Sequence, residues 1–401
     1  MVKEHYYQGE PMDLLHTVAF EEMYPIVSCL IQLSLPINVD RLQWAVDRVG
    51  RQLPEIFCHY QPVKNRWRAA KVPHTVIVQL EESQDPLSQP VDFLKDAQLK
   101  IFIKSAPEPI VYMVMSHIFT DGSGFKEFLY LLADSYNQQE TAGIHNERSS
   151  ESLVNALLSH GSKYKSKMSL PDRALTIPFT DEQVSKKFID YVDIPEEQFI
   201  KIRQKAKTDH LTINDVIMAA YIIQLSKKTN LREIPLPCPT DLRQFLPGRS
   251  LRIANLTGEY SLLISVDRKD DVSVIARKIH HQIADLRKQK AFLQAAPMLQ
   301  FLYRKLPVFF LRRLISRHYH VQTVSYTNFG ILDQRFHFED NTILHCLLTG
   351  SFRSIPQFQV AVATYAQKCT LSFCMIGSLL SKAEGHDLIS GIATLLEKWS
   401  C

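Results

Sequence analysis

No apolar run in this 401-residue chain exceeds eight residues, Val216 to Ile223, far short of the roughly 18 needed to cross a bilayer. The opening residues, MVKEHYYQGEPMDLL, lack the apolar centre of a secretory leader, so a soluble, cytoplasmic protein is expected. The seven cysteines (Cys29, Cys58, Cys238, Cys346, Cys369, Cys374, Cys401) are scattered, odd in number and form no C-x-x-C pair. That excludes a disulfide framework or a zinc knuckle and leaves buried, reduced thiols as the expectation. A strong charge of one sign is missing too: 46 Lys and Arg face 42 Asp and Glu, and +4 is too small to indicate nucleic-acid binding. There is no G-x-G-x-x-G, Walker loop, H-E-x-x-H, G-x-S-x-G or EF-hand loop, so those chemistries find no support. Asn255-Leu256-Thr257 is a glycosylation sequon, idle without a leader.

What is present is ordinary globular composition, 45% hydrophobic and 22% charged, in a chain longer than the usual single domain. Strands and helices alternate. Residues 25–35 read as a strand, 39–53 as a helix with Leu42, Ala45, Val46 and Val49 on one face. Residues 99–104 and 110–116 read as two strands joined by Ala-Pro-Glu-Pro, followed by a helix over 122–136. Residues 137–185 turn polar and form the natural linker, dividing the chain into 1–165 and 166–401. Beyond it, strands are expected at 188–192 and 260–266 and helices at 196–207, 214–228 and 271–289. At the C-terminal end, 358–363 and 370–376 followed by a Gly-containing loop and a helix over 387–399 repeat the order seen at 99–136. Charge is unevenly spread. Residues 286–332 hold eight Lys or Arg and no acid, leaving 38 cations against 42 anions elsewhere, a net −4.

The sharpest feature is SHIFTDGSG, residues 116–124, with His117, Asp121 and Gly122 in the pattern H-x-x-x-D-G. Chance yields about 0.03 of these per chain of this composition. The histidine ends an apolar strand and a helix follows, a setting that lets a side chain leave a packed sheet. A neutral imidazole near pH 7 can take a proton from a hydroxyl or amine as it attacks a carbonyl. Asp121 cannot share a strand face with His117; it folds back to fix the loop or pairs with a distant Arg, and Gly122 permits a sharp turn. The plainer alternative makes Asp121 an N-cap and His117 a hydrogen-bonded strand end. His281 and Asp285 repeat the spacing inside a helix, where it only stacks two side chains on one face, and His280 beside them reads the same way.

With its preceding strand, His117-x-x-x-Asp121-Gly122 resembles the active-site motif of the CoA-dependent acyltransferase superfamily. That superfamily includes chloramphenicol acetyltransferase, the plant BAHD enzymes, the alcohol acetyltransferases and the nonribosomal condensation domains. TINDVIMAAYIIQL at 212–225, PTDLRQFLP at 239–247 with the ANLTGEYSLLI strand, and SYTNFG at 325–330 are similar to further family regions. Departures sort the branches. Ser116 stands where condensation domains usually carry a first histidine, and the BAHD Asp-Phe-Gly-Trp-Gly turn is absent. Chloramphenicol acetyltransferase has about half this length and builds its site between subunits, so a two-half monomer near the alcohol acetyltransferases fits best.

The resemblance implies an α/β (α+β sandwich) fold of two chloramphenicol-acetyltransferase-like halves with mixed sheets and a channel between them. It implies O-acyl transfer, acetyl included, from acyl-CoA to an alcohol hydroxyl, with His117 as general base and no covalent enzyme intermediate. Asp121 becomes structural, in a salt bridge for which Arg243 is the candidate; Ser325, Thr327 and Asn328 are candidate oxyanion or substrate-orienting groups. No metal or bound cofactor is implied; acyl-CoA is a co-substrate. The basic, apolar segment 286–332 suits a phosphate-bearing donor, an acidic acyl-carrier protein or a membrane surface contacted from one side. A carrier-protein-dependent condensation enzyme and a non-catalytic binding protein of the same fold are the alternatives.

Overall fold

A computed structural model describes residues 5–20, 23–70, 74–141, 143–159, 175–180, 185–248, 250–289, 293, 295–319 and 321–401. The division expected at 165/166 lies outside these residues. The elements form where apolar spacing and caps place them. Helix Val39–Gly50 starts at Asn38, whose side chain accepts the Arg41 amide, and buries Leu42, Ala45, Val46 and Val49. Burial of each of the Leu and Val side chains contributes about 1.5–3 kcal/mol. Helix Ile213–Thr229 opens with a Thr212/Asp215 capping box and ends at Asn230 in the left-handed conformation.

Two mixed sheets carry the architecture, one in each lobe. In the first, the order is Ile343–Thr349, Ile26–Leu33, Ile110–Ser116, Leu99–Lys104, Ile77–Leu80, antiparallel except for the last pair. In the second, Val324–Leu332 pairs in parallel with Phe358–Tyr365, which pairs with Lys368–Gly377, and Lys186–Ile194 closes the far side. Arg353–Ser354 adds a short parallel pairing to Met375 and Ile376. A two-stranded arm, Glu233–Asp241 with Thr257–Ser265, projects the intervening residues 242–256 toward the first lobe. Helix Gly122–Tyr136 approaches the second sheet so closely that a Cβ on Gly122 would lie 2.9 Å from the Phe329 ring.

One strand crosses between the halves, and one helix boundary differs from its expectation. The C-terminal half lends Ile343–Thr349 to the N-terminal sheet, against Ile26–Leu33. The last helix starts at Leu379, not 387, because Ser378 and Ser381 form a capping box there. Gly385, read as loop punctuation, lies inside that helix; a Cβ there would meet Phe373 at 2.8 Å and Phe358 at 3.2 Å. It is a close-packing glycine rather than a turn.

All cysteines except Cys401 are buried, and burial raises the thiol pKa of Cys58, Cys238, Cys369 and Cys374 to about 12. A thiol reagent should therefore titrate one group per native chain, Cys401, and all seven after denaturation. Rapid labelling of more than one native thiol would contradict this packing.

Candidate active site

Strand Ile110–Ser116 runs between Ile26–Leu33 and Leu99–Lys104, with Ser116 opposite Ile26. The next amide, His117 N, still bonds to Pro25 O at 2.9 Å; then the Phe119 and Thr120 amides turn back onto Ser116 O and the chain leaves the sheet. His117 is thus the last sheet-anchored residue before a tight turn. Its ring keeps part of its surface accessible. Nδ1 is buried without a partner in hydrogen-bonding geometry, and Nε2 is bonded to no described residue.

Burial pushes the His117 pKa below 6.5, and the charge of Arg353 pushes the same way; its own carbonyl, Asp121 and Asn255 oppose them without winning. A second histidine covers the ring. His16, from the short 3-10 helix Pro11–Thr17, stacks on His117 with centroids 4.0 Å apart and planes inclined by 18°. Burial, reinforced by His117, holds His16 well below its ordinary pKa, so His16 is a neutral plate, not a second charge.

Asp121 is engaged in every direction. Oδ1 caps helix Gly122–Tyr136 through the Gly124 amide at 2.9 Å and meets Arg243 Nη2 at 3.0 Å. Oδ2 accepts from Arg243 Nη1 at 3.0 Å, the Leu256 amide at 2.7 Å and Thr257 Oγ1 at 2.8 Å. Burial raises its carboxyl pKa, but the Arg243 charge and these bonds outweigh it and leave the group below its usual value. The cap and the ion pair, alternatives from sequence, coexist. Arg243 also donates to the Arg252 and Ala254 carbonyls and to Asp241, clasping the 242–256 segment to the loop after His117. Gly124 lets that segment in: a Cβ there would sit 3.1 Å from the Ala254 nitrogen and collide with the Thr120 hydroxyl.

The idle sequon is part of this clasp. Asn255 is 4% exposed; its Nδ2 donates to Asp13 Oδ1 at 2.9 Å and to Ile118 O at 2.8 Å, while Oδ1, without a formal partner, faces the imidazole. Asp13 in turn is paired with Arg148 at 3.0 Å, whose guanidinium lies over Trp67 and Phe119. Sequence reasoning missed Asn255, Asp13, His16 and Arg148. It also missed Arg353, 6% exposed, with one hydrogen bond to Gln322 O and a buried, unpartnered Nε.

The candidates on strand Val324–Leu332 divide. Ser325 is buried with its hydroxyl unpartnered, and Thr327 is half-buried on the same strand face. Asn328 is exposed and committed elsewhere, donating to Asn214 and accepting from the Gly330 amide across a bulge where Gly330 takes φ 74°. The structure therefore brings His117, Asp121, Gly122 and Arg243 together and turns Asn328 toward Asn214. His280 is not idle on its helix: its Nδ1 lies 2.9 Å from Asp215, the carboxylate of a helix cap. Hollows of about 550, 790 and 530 Å³ lie elsewhere on the surface, and His117 lines none of them. Among the described residues no group of three His, Cys, Asp or Glu side chains could hold a metal ion.

No family model matches the chain, and no curated protein matches it in sequence. Its fold is shared by solved structures. Polyketide synthase associated protein 5 from Mycobacterium tuberculosis is similar at TM-score 0.70 and 15% identity, covering 98% of this chain and 99% of that one. TRI3 trichothecene 15-O-acetyltransferase from Fusarium sporotrichioides gives 0.68 and 12%, covering 98% and 96%. The first condensation domain of the calcium-dependent antibiotic synthetase gives 0.64 and 12%, covering 99% and 96%. The chain has the two-lobed fold of condensation domains and chloramphenicol-acetyltransferase-like acyltransferases. At these identities the likeness establishes fold.

Asp121→Ala takes from a buried guanidinium the more buried of its two carboxylates, together with a helix cap and two further hydrogen bonds, and is expected to cost about 3–5 kcal/mol. Urea unfolding should show a lower midpoint with an unchanged slope. A loss under 1 kcal/mol, on the order of a surface ion pair, would refute the clasp.

Proposed function

We propose that the chain is an acyltransferase that moves an acyl group, acetyl included, from acyl-CoA to an alcohol hydroxyl, with His117 as general base. One observation carries the reading: His117 is a neutral, partly accessible imidazole whose Nδ1 is buried while Nε2 is unclaimed, at the seam between two lobes. The acceptor oxygen attacks the thioester carbonyl as its proton passes to Nε2. The tetrahedral intermediate collapses, the C–S bond breaks, and the leaving thiolate recovers that proton. Asp121 does not relay charge, since Arg243 and three other donors already hold its carboxylate. Ser325, with a free buried hydroxyl, is the better oxyanion donor; Thr327 is second.

A donor presented on a carrier protein is the second reading. It is favoured by the fold shared with a polyketide-synthase-associated protein and with nonribosomal condensation domains. A panel of acyl-CoAs and acyl-carrier proteins against alcohols and amines, read by mass spectrometry, separates the two.

His117→Ala should abolish thiol release from acyl-CoA while the thermal unfolding transition persists; unchanged release would sink the assignment. A base must be unprotonated to act, so kcat/KM should rise with pH through the His117 pKa and level off at lower pH than an ordinary imidazole would allow. Arg353→Met removes a charge that lowers this pKa, so its acid limb should move to higher pH.

A further inference from the structure

Two successive helices, Ala295–Lys305 and Val308–His318, present an outer face that the core does not explain. Their inner faces bury Ala296, Leu299, Leu311 and Ile315. Their outer faces expose Met298 (63%), Phe301 (61%), Phe309 (54%) and Phe310 (60%), with Leu314 beside them. Exposing large apolar side chains together is unusual for a surface that meets only water. The spacing is helical. Met298 and Phe301 lead to Lys305, Phe310 and Leu314 lead to Arg317, and Phe309 leads to Arg313.

Three cations on these helices have no carboxylate partner among the described residues. Arg304 is paired with Glu151 at 2.6 Å and Arg312 donates to Thr17, but no described carboxylate pairs with Lys305, Arg313 or Arg317. Neither helix contains an acid, nor does any residue from 286 to 332. Aromatic side chains next to unpaired cations match a surface with an apolar interior and an anionic skin. No described helix is long and apolar enough to cross a membrane.

We infer that these two helices seat the protein on an anionic lipid bilayer, with Met298, Phe301, Phe309 and Phe310 entering the headgroup boundary and Lys305, Arg313 and Arg317 meeting lipid phosphates. A bilayer suits the face better than a folded acidic protein. The apolar side chains stand more than half exposed, which a fluid interface accommodates without a matching pocket. The placement also bears on the site. Both helices pack on Pro11–Thr17, whose His16 covers His117. Docking would bring the base close to a lipid-dissolved acceptor, a consequence that rests on the acyltransfer reading, whereas the docking itself does not.

Co-sedimentation of the full chain with vesicles tests this without reference to activity. Vesicles of phosphatidylcholine containing about one third phosphatidylglycerol should bind more than tenfold tighter than phosphatidylcholine alone, since each engaged cation contributes roughly fivefold. Phe309→Ser with Phe310→Ser should weaken that binding roughly tenfold or more at unchanged circular dichroism. Arg313→Gln with Arg317→Gln should remove most of the anionic preference. A chain that stays in the supernatant with anionic vesicles overturns the inference, as does a Phe double variant that binds like the parent. Equally, if the Arg variant loses affinity for an acidic acyl-carrier protein while vesicles are ignored, the face is a protein dock and the inference fails.

Discussion

One carboxylate holds the two lobes in register. Asp121 takes hydrogen bonds from the helix that follows it, from Arg243 through two nitrogens, and from the backbone and side chain of the arm that returns from the second lobe. A buried ion pair gains little over an apolar contact of the same size, because desolvation cancels most of the attraction. Its value here is directional. Five donors converge on two oxygens, so the loop after His117, the helix Gly122–Tyr136 and the segment 252–257 have one mutual arrangement. Gly124 and Gly122 are the steric conditions for that arrangement, each at a point where a methyl group would strike a neighbour.

The imidazole of His117 is correspondingly simple in its setting. An imidazole backed by a carboxylate gains basicity from it; the Nδ1 of His117 has no hydrogen-bond partner among the described residues, and burial holds the ring neutral. Its orientation comes from packing instead: the sheet fixes its backbone through Pro25, His16 covers one ring face, and Asn255, itself held by Asp13 and Ile118, lies nearby.

Local chemistry was legible in the sequence and long-range placement was not. His117, Asp121 and Gly122 sit within six residues, so spacing and the strand before them reveal the motif. Arg243 was reachable only through the similarity of PTDLRQFLP to a family region; nothing in periodicity ties residue 243 to residue 121. Asn255 carried a misleading label, since a sequon reads as surface and the folded chain buries it. His16 meets His117 across a hundred residues of chain, a contact without any pattern of its own. The helix beginning at Leu379 was cut short because Gly385 carries two meanings, loop and close approach, that only the facing Phe373 distinguishes. The segment 286–332 was legible as basic and apolar, yet which side chains turn outward depended on the packing of Leu299, Leu311 and Ile315.

The loan of Ile343–Thr349 to the first lobe has a consequence for synthesis. Until residue 349 is available, Ile26–Leu33 stands as an open edge with unpaired amides and carbonyls facing solvent. The N-terminal lobe, made first, must wait for nearly the last strands of the chain before its sheet is complete. Pairing residue 29 with residue 348 closes a very long loop, and contacts of that kind form late. A nascent chain of this protein thus carries a sheet one strand short through much of its translation, with an edge open to wrong pairing.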